Sequence, residues 1–109
     1  MNIHDKAHDL ARALRESQEF DSLQKKRLIV ETNPESKKLL DDFHKKQVEL
    51  QTIQLSGQSV TPQQQKEFEG IAGLAGMNPS VRDYLAAEMQ LIRIMEDIQK
   101  ILSEALAMG

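Results

Sequence analysis

Cysteine is absent from all 109 residues, which excludes disulfides, zinc–thiolate sites and cysteine-ligated iron–sulfur clusters. Tryptophan is absent too, and aromatics make up 4% of the chain: Phe20, Phe43, Phe68 and Tyr84. What remains to build a core is Leu, Ile, Met and Ala, a mixture that favours helix over sheet. No apolar run approaches the ~18 residues of a membrane span and no leader is recognisable, so a cytoplasmic location is expected. Nor is there an excess of positive charge. The chain has 14 basic against 17 acidic residues, a balance that argues against a primary nucleic-acid binder. Residues 1–57 carry ten of each sign, and the acidic surplus falls in the remainder.

What is present is helix punctuation. Asn2 stands before an apolar stripe of Ile3, Ala7, Leu10 and Leu14, stepping by 4, 3 and 4. A short second stretch runs from Phe20 through Leu23 to Leu28, Ile29 and Val30. Asn33-Pro34 then supplies a cap and a first-turn proline. The helix it opens extends to Leu55, with Leu40, Phe43, Gln47 and Leu50 on one side and acid–base pairs Asp41–Lys45 and Asp42–Lys46 on another. Ser56-Gly57-Gln58-Ser59 forms a loop. Thr61-Pro62-Gln63-Gln64 gives a cap with a reciprocal glutamine three residues on. Asn78-Pro79 opens a last helix with apolar positions at 81, 85, 89, 92, 95, 98 and 102, reaching Ala107. Nothing alternates with period two, and no hairpin dipeptide occurs. NPESKKLL and NPSVRDYL resemble each other at an offset of 45, which we read as one good helix start used twice.

The fold class is therefore all-α, in a single domain covering 1–109. Helices over Pro34–Leu55 and Pro79–Ala107 would span ~33 and ~43 Å, too long for a compact chain of this size, whose radius of gyration is ~13 Å. The expected architecture is an elongated antiparallel helical hairpin of two long helices with shorter helices packed along it. Such a shape leaves part of the last stripe, Leu85, Met89, Ile92, Met95, Ile98 and Leu102, without cover. A second copy of the chain is the economical cover, which makes these six residues the candidate dimer or partner interface.

GIAGLAGMNP, residues 70–79, is the one unusual stretch. A dinucleotide loop needs GxGxxG after a strand; here Gly70, Gly73 and Gly76 are spaced GxxGxxG and threaded by Phe68, Ile71, Leu74 and Met77 at helical intervals. They are either close-packing residues on a helix or a joint between the long helices. We favour a short, intrinsically weak helix made tolerable by packing, with the glycines and Asn78-Pro79 marking the turn region.

Chemistry is sparse. His4 and His8 share a helix face and could share a metal, but no third ligand cluster accompanies them and Asp5 serves as a first-turn acid, so no metal site is assigned. Glu88 sits beside the apolar line and calls for a counter-ion such as Arg93, Arg82 or a partner's cation. Glu96 and Asp97 read as a solvated face. Lys25-Lys26-Arg27 and Lys45-Lys46 could touch phosphate. No catalytic residue and no cofactor are assigned.

In order along the chain, IHDKAHDLARALRESQEF, NPESKKLLDDFHKKQVELQ, LSGQSVTPQQ and NPSVRDYLAAEMQLIRIMEDIQKIL resemble the YlbF/YmcA-like proteins of Gram-positive bacteria, most of all their YheA branch. The likeness covers nearly the whole chain. It implies long antiparallel helices that dimerise, in a cytoplasmic protein without enzymatic activity. YlbF and YmcA act with a third protein in a complex that modulates messenger-RNA processing by RNase Y, and so affect competence, sporulation and biofilm formation. That complex is associated with cysteine-ligated clusters, which this chain cannot ligate. The resulting expectation is a non-enzymatic, homodimeric regulatory protein, an adaptor linked to RNA processing or competence control. The alternatives are a small-molecule or metal binding module and an RNA-contacting accessory subunit.

Overall fold

Each of the three prolines stands at the first position of a helix, and the reason is steric. The residue before proline is pushed out of the right-handed helical region. Asn33 (φ −121°, ψ 112°), Thr61 (φ −72°, ψ 157°) and Asn78 (φ −97°, ψ 111°) are all extended. Their side chains then accept the first free amides of the next helix. Asn33 Oδ1 accepts from Glu35 and Ser36, Thr61 exchanges bonds with Gln64, and Asn78 Oδ1 accepts from Val81 at 3.2 Å.

The computed structural model describes residues 2–108 and contains five helices: α1 (Ile3–Arg15), α2 (Gln18–Glu31), α3 (Pro34–Leu55), α4 (Pro62–Met77) and α5 (Pro79–Ala105). No strand occurs among the described residues, so the all-α expectation holds. Asn2 caps α1 as its position suggests. Two boundaries differ from the sequence reading. Helix α2 starts earlier than the apolar stretch, because Ser17 Oγ donates to the Leu14 carbonyl at 2.6 Å and accepts from the Phe20 amide at 3.2 Å. One hydroxyl thus closes α1 and opens α2. Helix α5 stops two residues short of Ala107.

The chain forms two units, Leu28–Asp83 and Met1–Arg27 with Tyr84–Gly109, and α2 and α5 each contribute to both. In the first unit α3 packs against α4. Their pairing runs antiparallel: Lys46 meets Glu67, Phe43 meets Phe68 with ring centroids 5.4 Å apart, and Ser36 meets Asn78. The tight reversal between the two helices rests on Gly57 (φ 86°), the one left-handed residue among those described. The Gly57 and Gln58 amides donate to the Gln54 and Ile53 carbonyls and satisfy the end of α3. Gly57 therefore has a conformational reason to be glycine. Val30, Leu40, Ala75 and Val81 make the buried core, and Val30 and Val81, almost wholly removed from water, stabilise it by about 1.5–2 kcal/mol each.

Ser36 is the one buried polar residue among those described, 3% exposed. Its hydroxyl accepts from Asn78 Nδ2 at 2.9 Å and from Ser80 Oγ at 3.3 Å. The other unit is much less filled. Among the described residues only Tyr84 and Ala87 are buried there, and Leu14, Phe20, Leu23, Leu91, Ile94 and Ile98 are half-covered.

Replacing Asn78 by Ala removes the α5 cap and leaves Ser36 short of a donor. The expected loss is about 2 kcal/mol of folding free energy, read as a lower urea midpoint with an unchanged slope. A midpoint unmoved from that of the parent chain would show that this end is not held by Asn78.

Candidate functional site

The structure places the six expected interface residues along α5 with graded cover. Leu85 and Ile98 are half-buried, while Met89, Ile92, Met95 and Leu102 are exposed, Leu102 by 55%. The buried line of α5 is instead Val81, Tyr84 and Ala87, continued by half-covered Leu91 and Ile94. Uncovered apolar surface extends further than the six, through Ile101 and Leu106. Helix α1 shares this condition. It is strongly amphipathic, yet contains no buried residue; Ile3 is 82% exposed and only Leu14 of its stripe is half-covered.

Between α1, the start of α2 and α5 lies a groove of about 700 Å³. Leu14, Phe20, Leu91 and Met95 supply its apolar lining, and His8, Arg12 and Arg15 stand along it. Those three share one face of α1 at i, i+4 and i+7. Arg12 lies 3.8 Å from Asp9, an exposed pair of little energetic weight. Composition alone did not single out this groove. The spacing of His8, Arg12 and Arg15 was legible, but which helix they would border was not.

A second concavity of about 710 Å³ lies where α3 begins and α4 ends. Leu39, Leu74 and Met77 line it beside Asn33, Ser36 and Asn78. Its polar groups are occupied with capping and with the Ser36 clamp, so it offers shape rather than reactive chemistry.

Gly70, Gly73 and Gly76 lie inside α4, which continues unbroken to Met77. A Cβ built on any of them meets no atom within 4 Å. The expected packing against these glycines is thus missing within the chain. The side of α4 turned to α3 carries Phe68, Ile71, Ala72 and Ala75, and the glycines fall on the opposite, exposed side with Leu74 and Met77. The turn comes only at Asn78.

Lys25, Asp42 and Lys46, among the charged candidates, are held in salt bridges. Lys25 pairs with Asp21 at 2.9 Å. Asp42 pairs with Lys38 at 3.0 Å, not with Lys46 as the spacing suggested. Lys46 is drawn instead to Glu67 of α4 at 2.9 Å and to Glu49 at 3.4 Å, because the packing of α3 on α4 offers it a better carboxylate. The hydrogen bond to Glu67 raises the Lys46 pKa, and the same bond lowers that of Glu67. His4, His8, Glu96 and Asp97 are exposed and Glu88 is half-buried with interactions of its own. No group of three metal-ligating side chains converges among the described residues. Among them, no helix is long and apolar enough to cross a membrane.

With this geometry in view, comparison with known proteins is informative. The family model described as control of competence regulator ComK, YlbF/YmcA, matches residues 3–107. The chain belongs to this family. A UPF0342 protein of Symbiobacterium thermophilum is 40% identical over 103 residues, covering 94% of this chain and 92% of that one. A UPF0342 protein of Caldicellulosiruptor saccharolyticus is 38% identical, covering 95% and 87%. A solved protein of unknown function (DUF964) from Bacillus stearothermophilus superposes with a TM-score of 0.81 at 22% identity, over 95% of this chain and 91% of that one. It shares the fold. None of these names denotes an enzyme.

Two outcomes are expected. Gly70→Ala with Gly73→Ala raises folding stability by about 1–2 kcal/mol, since both positions are helical and open; a lowered melting temperature would show that something lies against that face. Glu67 contributes stability above the ordinary carboxylate range and loses it on acidification through its lowered pKa, whereas the contribution of Lys46 fades only in alkali above the usual lysine range. In Lys46→Gln the NMR titration midpoint of Glu67 therefore rises towards the usual value, and a midpoint that stays low would remove Lys46 as the cause.

Proposed function

We propose that the chain is a non-catalytic regulatory protein that works as a homodimer and acts by binding other proteins. One observation carries this reading: in the unit built from α1, the start of α2 and most of α5, amphipathic faces that should be interior stand open. Exposed Ile3 and Leu10 belong to α1 and Met89, Ile92, Met95, Ile101 and Leu102 to α5, with exposed Leu106 just past its end. Single exposed apolar residues need no explanation, but a contiguous series marks an interaction surface. A standard interface takes about 800 Å² from each partner, the area of a handful of such side chains. Unit area aside, symmetry makes a second copy the simplest partner for a self-complementary stripe.

The family description, control of the competence regulator ComK, supports competence control as the field of action, and we extend this to RNA processing on the resemblance to YlbF and YmcA. Within that field the chain would serve as an adaptor, presenting surfaces rather than reacting groups. The RNA-contacting alternative is less favoured, because Lys25 and Lys46 are engaged by carboxylates.

Light scattering at micromolar concentration should return about twice the 12.4 kDa chain mass. A monomeric mass across that range would refute the dimer. Capture of ribonuclease accessory proteins with the native-level protein, surviving ribonuclease treatment, is the expected sign of the adaptor role; recovery of the chain alone would refute it.

A further inference from the structure

Helix α5 does not stop where its cover stops. Ile98 is half-buried, and every described residue from 99 to 108 is exposed, yet the stretch is not a polar tail. Ile101, Leu102 and Leu106 are 63, 55 and 78% exposed, on a helix that remains regular to Ala105. Asp97 and Glu104 stand at i−4 and i+3 from Ile101 and therefore border it on one edge. The end of α5 is thus an apolar strip whose margin, Asp97, Lys100 and Glu104, carries one net negative charge.

The groove in the same unit has the complementary chemistry. Its lining is Leu14, Phe20, Leu91 and Met95, and its margin is His8, Arg12 and Arg15. Arg12 and Arg15, the charged members of that edge, stand one turn apart, and Asp97 and Glu104 two turns apart. Helical edges of opposite charge can lie side by side, the apolar strip filling the space between. At about 700 Å³ the groove holds several large side chains.

We propose that the carboxyl-terminal part of α5, Asp97–Ala105, with Leu106 just beyond it, of a second copy occupies the groove lined by α1 and α5, with Asp97 and Glu104 facing the Arg12 and Arg15 edge. This rests on the homodimer reading and gives it a geometry. The arrangement is isologous: each chain offers one groove and one helix end, so two equal seams close and no strip is left to recruit a third copy. The acidic margin also explains the choice of occupant. Its two carboxylates match the cationic edge of the groove. Charge along the seam sets register, and apolar burial supplies most of the affinity.

The experiment uses the full chain in sedimentation equilibrium, with circular dichroism to confirm helicity. The parent chain is dimeric. Arg12→Glu/Arg15→Glu alone and Asp97→Arg/Glu104→Arg alone each weaken dimerisation at least tenfold, since like charges then face each other along both seams. Mixed one to one, the two variants pair again near the parent affinity, because both seams of the mixed dimer regain opposite charges. A parent dimer with either reversed variant unchanged, or with no recovery in the mixture, overturns this geometry and leaves the homodimer standing. A monomeric parent chain overturns the homodimer itself.

If a reversed variant loses its helicity, the absence of natural cysteine gives a second route. Ala11→Cys mixed with Leu102→Cys yields the mixed disulfide on mild oxidation as the dominant crosslink. A dimer that crosslinks only like with like overturns the proposal. So does native mass spectrometry showing one fatty acid retained per parent chain, since the groove would then be a ligand site.

Discussion

The side-chain amide of Asn78 holds together elements far apart in sequence. Its oxygen caps α5 at Val81, its nitrogen donates to Ser36 of α3, and its extended backbone ends α4. Pro79 forces that backbone conformation, so a local steric rule places the amide where a long-range bond can form. Ser36 lies 42 residues away and is nearly inaccessible to water. A buried hydroxyl without partners would cost more than its hydrogen bonds return, and here it has two donors. The antiparallel seam of α3 and α4 follows from that clamp at one end, Phe43 against Phe68 in the middle and Lys46 with Glu67 further along.

The same chain is built unevenly. Residues 28–83 enclose a small core, whereas the unit of α1 and α5 encloses almost none. A chain of this length has little interior to share out, roughly 65% of its unfolded surface at best. Concentrating that interior in one unit leaves most of the apolar residues of the other exposed or half-covered. The surface that the second unit presents is apolar area with charged margins.

Much of the fold was legible in single residues. Asn2, Asn33-Pro34, Thr61-Pro62 with Gln64, and Asn78-Pro79 locate four helix starts because caps and prolines act within one turn. Ser17 was not read as a cap, since a lone serine without a following acid or proline is a common residue and gives a weak signal. The glycines at 70, 73 and 76 could be read as helical from the apolar residues between them. Their outward direction could not, because it depends on which side of α4 meets α3. Of the candidate site, the stripe from Met89 to Leu102 was visible as a periodicity, while the groove of His8, Arg12, Arg15, Phe20 and Leu91 was not.

By itself the sequence determined the helical class, the starts of the helices and the lack of thiol chemistry, because these depend on propensity, capping and composition over a few neighbouring residues. Only the tertiary structure decided that Lys46 takes Glu67 rather than Asp42, that Ser36 is buried against Asn78, and that α1 stays uncovered. Those outcomes depend on which helix faces meet, and periodicity gives each helix a face without naming the surface it will cover.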